Sequence, residues 1–209
     1  MRFRLPCSVV AHLTGVGCAT LLLAGCGTPR YDELPTYSEE RHLLQVVVET
    51  PAGSNHPQRY SLPERAFVPE QHAGTDRLVQ FLPYPVNAGF IPATRRPGSA
   101  STSFRPQSAL VLAESQPAGT VLEVVPLALL LLDNAGELES VVVTVPARPS
   151  QQVLPVGSWD ELNRQYPAVR ELLRLWYQHH AGPGRVRVMG WRNEQAAAEH
   201  IRKVRLPQP

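Results

Sequence analysis

Apolar positions fall in short, proline-broken runs up to about residue 112, in one long run over residues 121–133, and at helical spacing beyond residue 158. The first run, LQVVVE at residues 44–49, is β-branched and is followed by Pro51-Ala52-Gly53, which predicts a strand ended by a turn. Residues 58–62 and 66–68 predict two more short strands, separated by Pro63. Residues 109–112 and 121–133 predict the centre of the sheet. The second of these, VLEVVPLALLLLD, is too continuous for a strand with one wet face, so it should be covered on both sides. Val121, Val124, Val125 and the internal Pro126 argue against a helix there. Asp133-Asn134-Ala135-Gly136 is a turn signal, and the valine-rich return over residues 139–145 makes a hairpin.

The period then changes. Residues 159–166 predict a short helix, and residues 167–179 a longer one with Val169, Leu172, Leu173 and Trp176 on one core stripe. Gly182-Pro183-Gly184 ends it. Residues 185–189 predict a strand, and Asn193 an N-cap for a last helix through Val204. No internal repeat is present.

Composition adds an address. The chain has 209 residues, 43% hydrophobic and 18% charged, enough for the core of one domain, and its 21 prolines favour a loop-rich β architecture. A net charge of +2 is too small to predict a nucleic-acid partner, and none is expected. Arg2 and Arg4 precede an apolar segment ending in Leu23-Ala24-Gly25-Cys26, which resembles the bacterial lipobox. Residues 1–25 are then a lipoprotein signal peptide. Cys26 is acylated with palmitate-type chains that anchor the protein in a membrane, and residues 26–42, polar and proline-broken, form a flexible tether. Gly27 resembles lipoproteins sent to the outer membrane, facing the periplasm. Residues 43–205 form the domain and 206–209 a tail. Cys7 and Cys18 lie in the signal and Cys26 carries lipid, so no disulfide, thiolate metal site or nucleophilic thiol remains.

Tyr84-Pro85-Val86-Asn87-Ala88-Gly89-Phe90-Ile91-Pro92 resembles the Y-P-x-N-Y-G-[FY]-I-P stretch of family I soluble inorganic pyrophosphatases, with Ala88 in place of a tyrosine. Glu49 in VVVETPAG is similar to the glutamate of the family's I-E-I-P-A run. Arg77 follows Asp76 as in its D-R pair, Asp133 resembles the first aspartate of D-E-A-G-E-D, and Gly190-Trp191 resembles its G-W before the final helix. The resemblance implies an α+β, mainly β fold: a closed five-stranded OB-type barrel flanked by two or three helices. It also implies a family activity, hydrolysis of diphosphate to two phosphates. Carboxylates hold magnesium ions there, a metal-bound hydroxide attacks, and lysine, arginine and tyrosine grip the phosphoryl oxygens.

The metal signature D-G-D-P-x-D is degenerate. Ser103, Arg105 and Ser108 stand at its three aspartates, which moves the local charge from about −3 to about +1. Ser61 replaces a glutamate, Arg59 a lysine, Leu138 and Ser140 an acid and a lysine, and His180-Ala181 a tyrosine-lysine pair. No catalytic residue, metal or cofactor is therefore expected, and Glu49 and Asp133 are remnants. The reading is a pseudoenzyme, a binding or scaffolding module for a phosphate-type anion or an envelope protein. Arg59, Arg77, Tyr84 and Arg105, with Arg95 and Arg96, are its candidate ligands. The alternative is a magnesium-dependent hydrolase using Glu49, Asp133 and Glu139. Adjacent His179 and His180, like His56 and His72, lack the i, i+4 spacing of a helical metal pair. There is no G-x-S-x-G elbow and no phosphate-cradling glycine loop. The sequence leaves the oligomeric state open.

Overall fold

The computed structural model of the chain describes residues 30–98 and 104–207. Strands β1 (Leu44–Thr50), β2 (Gln58–Ser61), β3 (Ala66–Pro69), β4 (Gln71–His72), β5 (Thr75–Asp76), β6 (Asn87–Ile91), β7 (Gln107–Val111), β8 (Val121–Asn134) and β9 (Glu137–Pro146) come first. Helices α1 (Trp159–Gln165) and α2 (Pro167–His179), strand β10 (Val186–Asn193) and helix α3 (Glu194–Val204) follow.

The main sheet runs β1-β6-β7-β9-β8-β10, and β8 also pairs back to β1, so five strands close into the OB-type ring with β10 appended. All its pairings are antiparallel except β7 with β9. The length of β8 follows from its two partners: Val121–Val124 pair with β1, while 128–134 pair with β10. Pro126, which has no N–H to give, sits at the register shift against β9. Both faces of β8 are covered, as its unbroken apolar run predicts.

Alternation along the ring sorts side chains into two cores. Val46, Val48, Ile91, Ala109, Val111, Leu129 and Val142 point inward and meet Ala197 and Ile201 of α3. Leu110, Leu130, Leu132, Val141 and Val143 point outward under Leu162 of α1 and Leu173 of α2. Each fully buried leucine or valine contributes roughly 1.5–3 kcal/mol. Gly89 on β6 is dictated by its neighbour, because a Cβ there would lie 1.9 Å from the Val47 carbonyl oxygen.

Several expectations need correction. Leu172 is 51% exposed, so the apolar stripe of α2 narrows to Val169, Leu173 and Trp176. β7 begins at Gln107, two residues early, because Thr94 Oγ1 accepts from the Gln107 amide. β10 runs on to Asn193 because β8 offers it partners down to Ala128. Asn193 caps α3 as predicted, its side chain accepting from the Ala196 amide. The largest correction concerns residues 30–42, expected as a tether. Tyr31 stands edge-on to Tyr60 and Phe67 at 5.3 and 5.1 Å. Thr36 is fully buried and donates to the Pro92 carbonyl at 3.0 Å, Gln45 donates to the Pro35 carbonyl at 2.8 Å, and Tyr37 bridges Leu44. Isolated anchors satisfied by strand backbone leave no periodic trace, so the segment reads as linker although it is a strap. The signal peptide and Cys26 lie outside the described residues. Among the described residues no helix is long and apolar enough to cross a membrane.

Candidate functional site

The outer face of the ring carries a polar hollow between the helices and an aromatic cluster. Val47 pairs with Phe90 and Phe90 with Ser108, so β1, β6 and β7 present these residues on the same side. Glu49 lies two residues beyond Val47, at the β1 bulge, and accepts from the Tyr60 amide at 2.7 Å. Glu139 pairs with Leu132, whose side chain belongs to the outer core, so Glu139 also points outward.

Arg96 crosses this face. Its amide donates to the Arg105 carbonyl at 2.8 Å, closing the base of the loop and turning the side chain back over the sheet. One Nη donates to Ser108 Oγ at 2.6 Å, and the other lies 4.0 Å from a Glu139 carboxylate oxygen. Nε is enclosed with no acceptor among the described residues. Burial pushes the Glu49 carboxyl up to about 7, against the Tyr60 hydrogen bond and the nearby Arg96 and Arg59 charges, with Glu70 adding to the rise.

The second half of the hollow is set by the β4–β5 hairpin, which brings its flanking residues together: the Arg77 amide donates to the Glu70 carbonyl, and its guanidinium meets the Glu70 carboxylate at 2.6 Å. Burial works against the Arg77 charge, but Tyr84 and Glu70 outweigh it and hold the group above its ordinary value. Tyr84 lies 4.5 Å from the Trp176 ring, and its hydroxyl is pushed up by burial and by Glu70. Trp176 is buried and donates to the carbonyls of Leu82 and Pro83 at 2.9 and 3.0 Å, fastening the loop to α2. One residue on, Tyr177 is raised by burial first and then by the neighbouring Tyr84 and Glu139. His180 stacks on Trp176 at 4.3 Å and bonds the Tyr177 carbonyl, and burial lowers it to about 4, so it is neutral at pH 7. Beyond the Arg77–Glu70 pair the hollow continues into an open cleft of about 770 Å³ that His72, His179, His180 and Arg185 also line.

The structure therefore gathers Arg77, Arg96 and Tyr84, interleaves them with Glu49, Glu70 and Glu139, and leaves Arg59 exposed but near enough for its charge to act on Glu49. Two of the sequence candidates are elsewhere. Arg105 is exposed and lends only its carbonyl to Arg96. Asp133 pairs with Leu138 and Arg187 at the hairpin end, one residue out of phase with Leu132, so it points away from Glu139. It accepts from Arg187 and from the Gly136 amide at 2.7 Å, and these bonds hold its carboxyl below the usual range. Asp133 thus does not converge with Glu49 and Glu139. Ser103 lies outside the described residues. Sequence reasoning missed Glu70, which sits in no motif and is placed by a two-residue hairpin, and Tyr177, hidden beside a helix stripe. Among the described residues no three His, Cys, Asp or Glu are grouped to hold a metal.

Comparison with known proteins places this architecture. The profile of the family described as "Pyrophosphatase: Inorganic pyrophosphatase" matches residues 46–206. The inorganic pyrophosphatase of Aeropyrum pernix is 29% identical over 170 residues, covering 79% of this chain and 89% of that protein. The crystal structure of the Thermus thermophilus inorganic pyrophosphatase superposes with a TM-score of 0.70 at 24% identity, covering 83% of this chain and 95% of that one. That from Neisseria gonorrhoeae gives 0.66 at 22% identity with the same coverage. At these identities the two structures establish the fold.

Proposed function

Since the chain belongs to the inorganic pyrophosphatase family, we propose that it is a lipid-anchored, outer-membrane member, facing the periplasm, whose hollow binds a phosphate-type anion without magnesium-dependent hydrolysis. The supporting observation is Arg96. Magnesium requires several hard oxygen ligands in near-octahedral array. Here Ser108, at one of the family's aspartate positions, is instead held at 2.6 Å by a guanidinium that also faces Glu139. A fixed cation already stands where the divalent ion would, so the residues present do not fit the metal and no hydrolytic step is derived through it.

An anion fits better. The enclosed Nε of Arg96 is a charged donor lacking an acceptor among the described residues, and a phosphate oxygen would satisfy it. Arg59 and Arg77 add positive charge. Against them stand three carboxylates, of which Glu49 is half protonated at about pH 7. Protonation of Glu49 leaves the hollow with one net positive charge, so anion affinity should rise as pH falls through 7.

The test uses the mature chain, residues 27–209. Sulfate keeps its charge over this range, and it should raise Tm at low salt, more at pH 6 than at pH 8, with the difference abolished in Glu49→Gln. Diphosphate with magnesium should release no phosphate at enzymatic rates. Turnover at about 1 per second or faster would overturn the reading, as would the absence of stabilisation by sulfate, phosphate and diphosphate alike.

A further inference from the structure

Lipidation at Cys26, on which this inference rests, acquires a geometric consequence from the strap. With Tyr31 packed on Tyr60 and Phe67, only Gly27, Thr28 and Pro29 separate the lipidated residue from Arg30. At about 3.6 Å per residue, the four steps from Cys26 to Arg30 reach no more than about 14 Å, whereas the sixteen steps of the tether expected over residues 26–42 would have reached about 58 Å. The start of the strap is pinned firmly. Gly119, at φ +87°, lies so close that a Cβ there would be 2.6 Å from the Tyr31 hydroxyl and 3.2 Å from Phe67, and the Tyr60 hydroxyl donates to Asp32 at 3.3 Å.

We propose that the mature protein does not swing from its anchor: the face formed by Tyr31 and the β2–β3 turn is held against the bilayer surface, in one orientation. The occupant of that face is the lipid head-group layer. The turn exposes an apolar pair, Leu62 (37%) and Pro63, that can enter the head-group layer, with Glu64 and Arg65 balancing each other's charge beside it. Tyr60 meets the strap edge-on and gives its amide to Glu49, so the anion hollow has its Glu49 wall on this side. The other end of β8 is well removed: the strand begins next to Gly119, and the ten steps from Leu122 to Leu132 run up to about 30 Å along it to the pairing with β10 around Met189.

The mature chain offers no thiol beyond the acylated Cys26, so a cysteine introduced elsewhere is a unique label site. Ala66→Cys, adjacent to Phe67, reports the strapped face, and Met189→Cys, 58% exposed, reports the far end. The full-length lipoprotein would be purified, labelled with a fluorophore and reconstituted into phosphatidylethanolamine/phosphatidylglycerol vesicles bearing nitroxide head groups. The label at residue 66 should lose most of its emission and the label at 189 should keep it. Insertion of about twenty Gly/Ser residues between Gly27 and Thr28, which adds a span of about 25 Å, should restore emission at 66. Equal quenching at both sites, or no response to the insert, overturns the fixed orientation while leaving lipidation intact. A chain that fails to float with vesicles, or whose N-terminal peptide has the mass of an unacylated cysteine, overturns the lipid reading itself.

Discussion

On the proposed reading, one side chain, Arg96 on Ser108, takes the place of a metal. A guanidinium at 2.6 Å from a serine hydroxyl and 4.0 Å from Glu139 supplies internally the positive charge that relatives are expected to draw from divalent ions. Reinstating one acid should therefore not reinstate the metal. Ser108→Asp would place a carboxylate on the same Arg96 Nη and quench the charge that an anion needs. The expected result is no magnesium-dependent Tm shift and a loss of sulfate affinity of about tenfold, the scale of one charge-assisted hydrogen bond. Isothermal titration with each ion reads both, and tight magnesium binding by this variant would contradict the account. That Ser108 belongs to the hollow was legible in sequence. The role of Arg96 was not, because its effect depends on a loop closed by the Arg105 carbonyl.

At the scale of elements, what sequence makes legible is what repeats. The long β8–β9 hairpin, α2 and the capped α3 follow from period, turn residues and a cap. What escapes has no period: the two-residue strands β4 and β5, which set Arg77 opposite Glu70, and the Tyr31–Thr36 strap. β6 falls between these cases, since its motif is recognisable while the reason for its glycine is visible only across the sheet. Gly89 faces the Val47 carbonyl, where an added methyl would sit at 1.9 Å from the oxygen. Backbone cannot rotate aside as a flexible side chain would. Gly89→Ala should cost about 3 kcal/mol or more and lower Tm by about 10 °C. Gly136→Ala, in the hairpin turn, opens onto empty space and is strained only by its φ of +95°, so the loss should be smaller. Thermal melts of the two variants rank them, and an inverted order would mean that β1 and β6 can separate locally without cost.

Across the whole molecule, two buried titratable groups in the same hollow act on stability with opposite signs. Burial raises Glu49 from 4.5 to about 7, so between those values the folded chain holds a proton that the unfolded chain has released, and stability falls as pH rises. His180 is lowered from 6.5 to about 4, so over that window the unfolded chain holds the extra proton, and stability rises with pH. The windows overlap from about 4.5 to 6.5, where the two slopes largely cancel and leave the native chain only the shallow rise that His200, lowered by burial and by Lys203, adds. Asp133, Glu171 and Glu199, held below their ordinary values by arginine or lysine partners, add a rising slope only at more acid pH. Single substitutions remove one side of the balance. Glu49→Gln should leave a chain that gains stability from pH 5 to 6.5, and His180→Asn one that loses it, each read from urea midpoints at unchanged m. A native profile already steep across this window would show that one of the two groups is solvated in the folded state. The hollow would then be more open to water than the enclosed Arg96 Nε and the ring of Tyr84, Trp176 and Tyr177 imply.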